Sequence, residues 1–119
     1  MGKFPSRMFR WAAFYGVIVL LPLYLFTPLG KDGAEIYLGF VGLALVFQAV
    51  FWIIGRDPAK YRALMPIAVA EKLVFAVPCL ALFVSGYAVI PPVALFACID
   101  LALGLGFFIA WQQQKKQAA

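Results

Sequence analysis

Glu71 and Lys72 stand side by side in one long apolar run, MPIAVAEKLVFAVPCLALFV, and Asp100 stands inside another, VALFACIDLALGLGFFIAW. An ionised side chain at the centre of a bilayer costs about 2.5 to 3.5 kcal/mol on insertion scales, so such groups are expected to face inward and to pair. Adjacent helical residues point about 100° apart, which places Glu71 and Lys72 poorly to serve one another. Lys72, with its long stem, is therefore expected to reach Asp100, and the small Gly104, one turn further on, leaves space for it. Glu71 is expected to look toward Gln48, or toward Arg56 and Arg62 reaching up from the membrane boundary. Two carboxylates against one buried amine leave a charge of −1, so one carboxyl needs a proton or an arginine.

Such a constellation supports several kinds of work. Gln48, Glu71, Lys72 and Asp100 form a candidate binding site for a small or lipid-like ligand. Glu71 and Asp100 are candidate acid and base for chemistry on a lipid-soluble substrate, which needs two carboxylates in unlike surroundings around an apolar cavity. A transporter or channel subunit is a further reading, and it requires an oligomer, because four helices rarely enclose a pathway. The plain structural reading is that the ion pairs fix which helices meet and in what register. The chain has no histidine and two cysteines, which removes His-based metal ligation and Ser-His or Cys-His catalysis, and nothing calls for a metal or another cofactor. Cys79 and Cys98 are expected at equal depth on neighbouring helices. Their apolar setting opposes thiolate formation and makes them packing residues.

The elements that hold these residues follow from composition. With 66% hydrophobic residues, 13% charged residues and a mean hydropathy of +0.97, the 119-residue chain has too little polar surface for a water-soluble domain. One all-α domain of four membrane-spanning helices is expected, over about 11–29, 36–54, 58–85 and 92–111. The first run has a basic start, as a signal peptide would, but no small-residue cleavage pattern follows it, so a retained span is expected. Pro22 predicts a kink there. Pro28, Gly30 and Gly33 mark a loop, and Gly39 and Gly42 predict a smooth face for close helix contact. Asp57 followed by Pro58 is the signature of an N-capped helix start, so the third helix is expected to begin there. Ser85, Gly86, Pro91 and Pro92 bracket a short uncharged connection, and the tail QQQKKQAA is expected to be disordered.

Charge assigns direction. Lys3, Arg7, Arg10, Arg56, Lys60, Arg62, Lys115 and Lys116 flank one side of the spans and Lys31 alone the other, eight against one, so the positive-inside rule puts both termini in the cytoplasm. Arg56, Asp57, Tyr61 and Arg62 are then residues of the membrane interface. Trp11, Trp52, Tyr61 and Trp111 fall at the same boundary, while Tyr24, Tyr37 and Tyr87 fall at the opposite one. Gln48, Glu71 and Lys72 come out roughly 10 Å, and Asp100 roughly 16 Å, from the basic boundary at 1.5 Å per residue. The positive charge is matched to anionic lipid head groups, and no basic face with interleaved aromatics suggests nucleic acid.

The run YLGFVGLALVFQAVFWIIGRDPAKYRALMPIAVAEK, followed by CIDLALGLGFFIAW, resembles a set of four-helix bacterial inner-membrane proteins that in general build look like the DoxX-like proteins. Its distinctive parts are Gln48, the Asp57-Pro58 turn with Tyr61 and Arg62, the Glu71-Lys72 pair and Asp100. The resemblance implies a multi-pass bacterial inner-membrane protein, and it implies no activity. The expectation is thus a small integral membrane protein, not primarily an enzyme, that meets membrane lipid, a hydrophobic small molecule and further copies of itself.

Overall fold

The computed structural model describes residues 3–26, 30 and 32–118. Their order is α1 (Lys3–Leu25), α2 (Ala34–Arg56), a 3₁₀ turn at Arg62–Leu64, α3 (Met65–Val84) and α4 (Pro91–Ala118). The protein is all-helical. Among the described residues it has four helical stretches long and apolar enough to cross a membrane, Lys3–Leu25, Ala34–Arg56, Arg62–Val84 and Pro91–Lys116, which suggest a multi-pass membrane protein.

The helices depart from their expected bounds for local reasons. α1 starts at Lys3, eight residues before the expected Trp11, because Pro5, Phe9, Ala12, Ala13 and Gly16 form one buried stripe spaced by three and four residues. Its expected end at residue 29 lies outside the described residues, as does Lys31. The third helix does not begin at Pro58. Asp57 ends α2 instead, its N–H donating to the Ile54 carbonyl. Its carboxylate does accept the Lys60 N–H at 3.2 Å, as an N-cap would, but the turn it closes stops after one revolution. Pro66 favours the break, although α1 and α3 themselves run through Pro22 and Pro78. In a helix running on from Pro58, its ring would press on the Arg62 carbonyl and leave that acceptor empty, whereas a fresh start at Met65 puts Pro66 in the first turn, where no N–H is needed.

The tail expected to be disordered is helical to Ala118. Gln114 is buried, and the Lys115 ammonium lies 4.8 Å from the Trp111 ring centroid, so the extra turns have partners. At the other end of the chain's second hairpin, α3 closes with Gly86 at φ 86°, a left-handed conformation that suits glycine. The Tyr87 N–H donates to the Leu82 carbonyl at 3.0 Å and the Gly86 N–H to Phe83 at 3.2 Å, the two bonds of a Schellman stop.

α1 packs along α2, α3 along α4, and the two hairpins join through α1 and α4. The result is a flattened bundle with principal extents of 50 × 31 × 18 Å. α2 and α3 meet chiefly through side chains: the Phe40 and Phe75 rings have centroids 5.4 Å apart. The main core lies at the end that carries both termini. There Phe9 stacks on Phe107 with ring centroids 4.2 Å apart, Phe51 lies 4.9 Å from Phe107, and Ile54, Met65, Ala68 and Ala110 close around them.

Close helix approach is made by glycines other than the expected Gly39, whose surroundings are open. A Cβ at Gly55 would come within 3.0 Å of the Arg10 nitrogen and the Ser6 carbonyl, and Ser6 Oγ donates to the Gly55 carbonyl at 2.6 Å, tying α1 to α2. Gly42 does lie at a contact, with a Tyr24 ring carbon 3.0 Å from the place of a Cβ.

Candidate functional site

Lys72 sits on the stripe of α3 that faces α4, together with the buried Ala68, Ala76 and Cys79. That placement carries its ammonium to Asp100 on α4, with Nζ 3.5 Å from Oδ1. Gly104 permits the approach, since a Cβ there would lie 3.1 Å from the Lys72 Cβ. The same Nζ lies 3.6 Å from Glu71 Oε1. The expectation that neighbours on one helix cannot serve each other is therefore corrected: the flexible lysine stem swings its charge back over the adjacent residue. Phe51 of α2 completes the setting, its ring centroid 5.1 Å from Nζ, a cation–π distance.

The three charged groups differ in how open they are. The Lys72 side chain is 7% exposed, Glu71 19% and Asp100 26%. The cation is enclosed, and the two acidic side chains are only partly buried. At 3.5–3.6 Å the ion pairs are at the long limit for a hydrogen bond, and Glu71 Oε1 is buried with no hydrogen-bond partner. With both carboxyls ionised the cluster carries −1, so the arrangement is suited to hold a further proton or cation.

Gln48 does not join this group through a hydrogen bond. Its Nε2 donates to the Ala44 carbonyl one turn back at 2.8 Å, and its Oε1 is buried and unpartnered. It is 2% exposed and lies against Gly16 of α1, so close that a Cβ there would overlap the amide. Gly16 at the end of the stripe of Ala12 and Ala13 was the available signal for that seat. Glu71 likewise does not reach Arg56 or Arg62. Among the described residues, the ion pairs are those of Lys72 with Glu71 and Asp100, and Arg56 is exposed. Two of the residues expected at the membrane interface, Asp57 and Tyr61, make local contacts. Asp57 caps its turn, and the Lys60 ammonium lies 5.4 Å from the Tyr61 ring centroid. Cys79 is buried near the Val93 carbonyl, as a packing residue would be, whereas Cys98 is exposed, which corrects the expectation that both thiols pack; both are free.

The fold and the cluster together define an all-α bundle of apolar helices with an inward ion triad. Comparison of the chain with protein-family models, with curated proteins and with solved structures found no match.

Proposed function

We propose that the protein is an integral membrane protein of the bacterial inner membrane, with both termini cytoplasmic, that binds the polar head of a small or lipid-like ligand at Glu71, Lys72 and Asp100. The observation that carries the reading is the unequal enclosure of the triad: a buried amine between two acidic side chains that are only partly buried. A purely structural triad in an apolar phase gains by enclosing every charge, because an exposed carboxylate gives up electrostatic pairing and meets hydrocarbon. Partial exposure is useful where something comes to cover it. The orientation rests on the eight basic residues beside the terminal end, and the bacterial inner membrane on the resemblance to four-helix proteins of that membrane.

Two measurements test this. Single cysteines placed at Lys3 and Lys116 are expected to react with impermeant maleimide only from the cytoplasmic side; labelling from outside would reject the orientation. Native mass spectrometry of the gently extracted protein is expected to show a retained ligand that is lost from the Glu71→Gln/Asp100→Asn protein. Retention of the same adduct by both proteins would reject the site.

A further inference from the structure

Building on the head-group site proposed above, we infer that its ligand is a single-chain amphiphile with an ammonium head, the chain lying in an apolar groove between α3 and the start of α4. The groove holds about 410 Å³ and is walled by residues including Val74, Pro78 and Leu82 of α3, Val89 and Ile90 of the connection, and Val93 of α4. Helical geometry puts it directly beyond the carboxylates. Val74, Pro78 and Leu82 follow Glu71 by three, seven and eleven residues and lie within roughly 60° of its direction around α3. Val93 precedes Asp100 by seven residues and lies within roughly 20° of its direction around α4. On α3 the stripe that begins at Glu71 continues as groove wall, and on α4 the wall residue Val93 stands two turns from Asp100 on the same face.

Size and charge select the ligand. From Glu71 to Leu82 the stripe rises roughly 16 Å. With a methylene taken as water-sized, roughly 30 Å³, the groove has room for one chain of roughly a dozen carbons. The partly exposed side of the cluster is anionic, since Lys72 is enclosed and its single charge is shared between two carboxylates. A sulfate or phosphate head would be repelled, and an alcohol would leave the net charge in place, whereas an ammonium ion cancels it and can donate to both carboxylates. The wall across the groove is held in place: Val89 packs against the cluster of Ala76, Cys79 and Ala97, and its N–H donates to the Tyr87 carbonyl at 2.8 Å.

The test uses the full-length protein in nanodiscs of zwitterionic lipid and a dodecylammonium probe with a photoreactive diazirine at the chain end, beside the same chain bearing a hydroxyl or a sulfate head. Adducts of the ammonium probe are expected within residues 74–82 and 88–93, in a yield exceeding the other two by on the order of tenfold, the scale of a charge-assisted hydrogen bond. Glu71→Gln with Asp100→Asn should remove that excess. Ala88→Trp, in the exposed connection, should block the chain while leaving the triad untouched, and it tests the groove even where the double variant does not fold. Equal yields from all three heads, or adducts spread over outward residues such as Leu43, Val46 and Leu95, overturn the inference. Head selectivity that depends on the carboxylates but produces adducts away from the groove refutes the groove and leaves the head-group site standing. Groove adducts indifferent to both carboxylate substitutions refute the head-group site, and this inference with it.

Discussion

The two ends of the bundle are built from similar apolar residues and packed in opposite ways. At the terminal end, Phe9, Phe51 and Phe107 come from three helices and interlock, with Ile54 and Met65 filling the space beside them. At the hairpin-loop end, the buried cluster is Ala76, Cys79 and Ala97, drawn from α3 and α4 alone, and the large side chains Ile36, Val84, Tyr87 and Ile90 are exposed. In water that exposure would be a fault, but in lipid the surrounding phase is as apolar as the side chains, and helices are held by packing and polar contacts instead of by flight from solvent. The difference teaches where the fold is decided. The terminal end joins the two hairpins, and the other end leaves an open apolar groove between α3 and the start of α4.

The largest way to break this contrast is to empty the tight end. Phe107→Ala removes a ring that stacks on Phe9 and touches Phe51, and about 3 to 5 kcal/mol of stability should go with it. Leu82→Ala, in the open end, should cost under about 1 kcal/mol, because a side chain facing an open groove has few protein contacts to lose. Reversible unfolding in bicelles, followed by a steric trap, measures both. Similar losses at the two positions would mean that the ends are equally packed and that the contrast is not real.

The triad lies between the two regions and supplies the next effect. Lys72→Met leaves Glu71 and Asp100 facing each other without their shared cation, a loss of about 3 kcal/mol for an unpaired buried charge. Adding Glu71→Gln and Asp100→Asn to that substitution removes the unpaired charges and should restore most of the stability. A triple variant no more stable than Lys72→Met alone would show that the lysine acts through its packing against Phe51 and Gly104 and not through its charge.

How far the sequence reveals this can be judged at particular residues. Four apolar helices, the Lys72–Asp100 pair and the space left by Gly104 are legible, because span length, the cost of an ionised group in lipid and the size of a side chain are properties of the residues themselves. The start of α3 is misread at Asp57-Pro58, where the local signal is genuine: Asp57 does cap a turn, and Pro66 further on favours a fresh start at Met65 over its continuation. Glu71 is misplaced for another reason. A fixed angle between neighbouring side chains ignores the reach of a lysine, whose Nζ can stand over the next residue. The place of Phe51 beside Lys72 depends on how the two hairpins dock, which the periodicity of one helix does not encode, whereas the seat of Gln48 lies within the first hairpin, where Gly16 was its signal.

The smallest effects come from two glycines, and they should differ in sign. Gly55 lies where α1 crosses α2, and a methyl group added there meets backbone atoms at 3.0 Å that cannot yield as a flexible side chain would. Gly55→Ala should therefore cost about 1 to 2 kcal/mol, overpacking outweighing the gain in helix propensity. Gly39 in the open half of the same helix has nothing near the place of its Cβ. There the helix preference for alanine acts alone, and Gly39→Ala should be neutral or stabilising by up to about 1 kcal/mol. The same bicelle unfolding measurement reads both. A loss at Gly39 matching that at Gly55 would reveal a neighbour on that face which one chain does not supply, and the obvious source in a membrane is a second copy of the bundle.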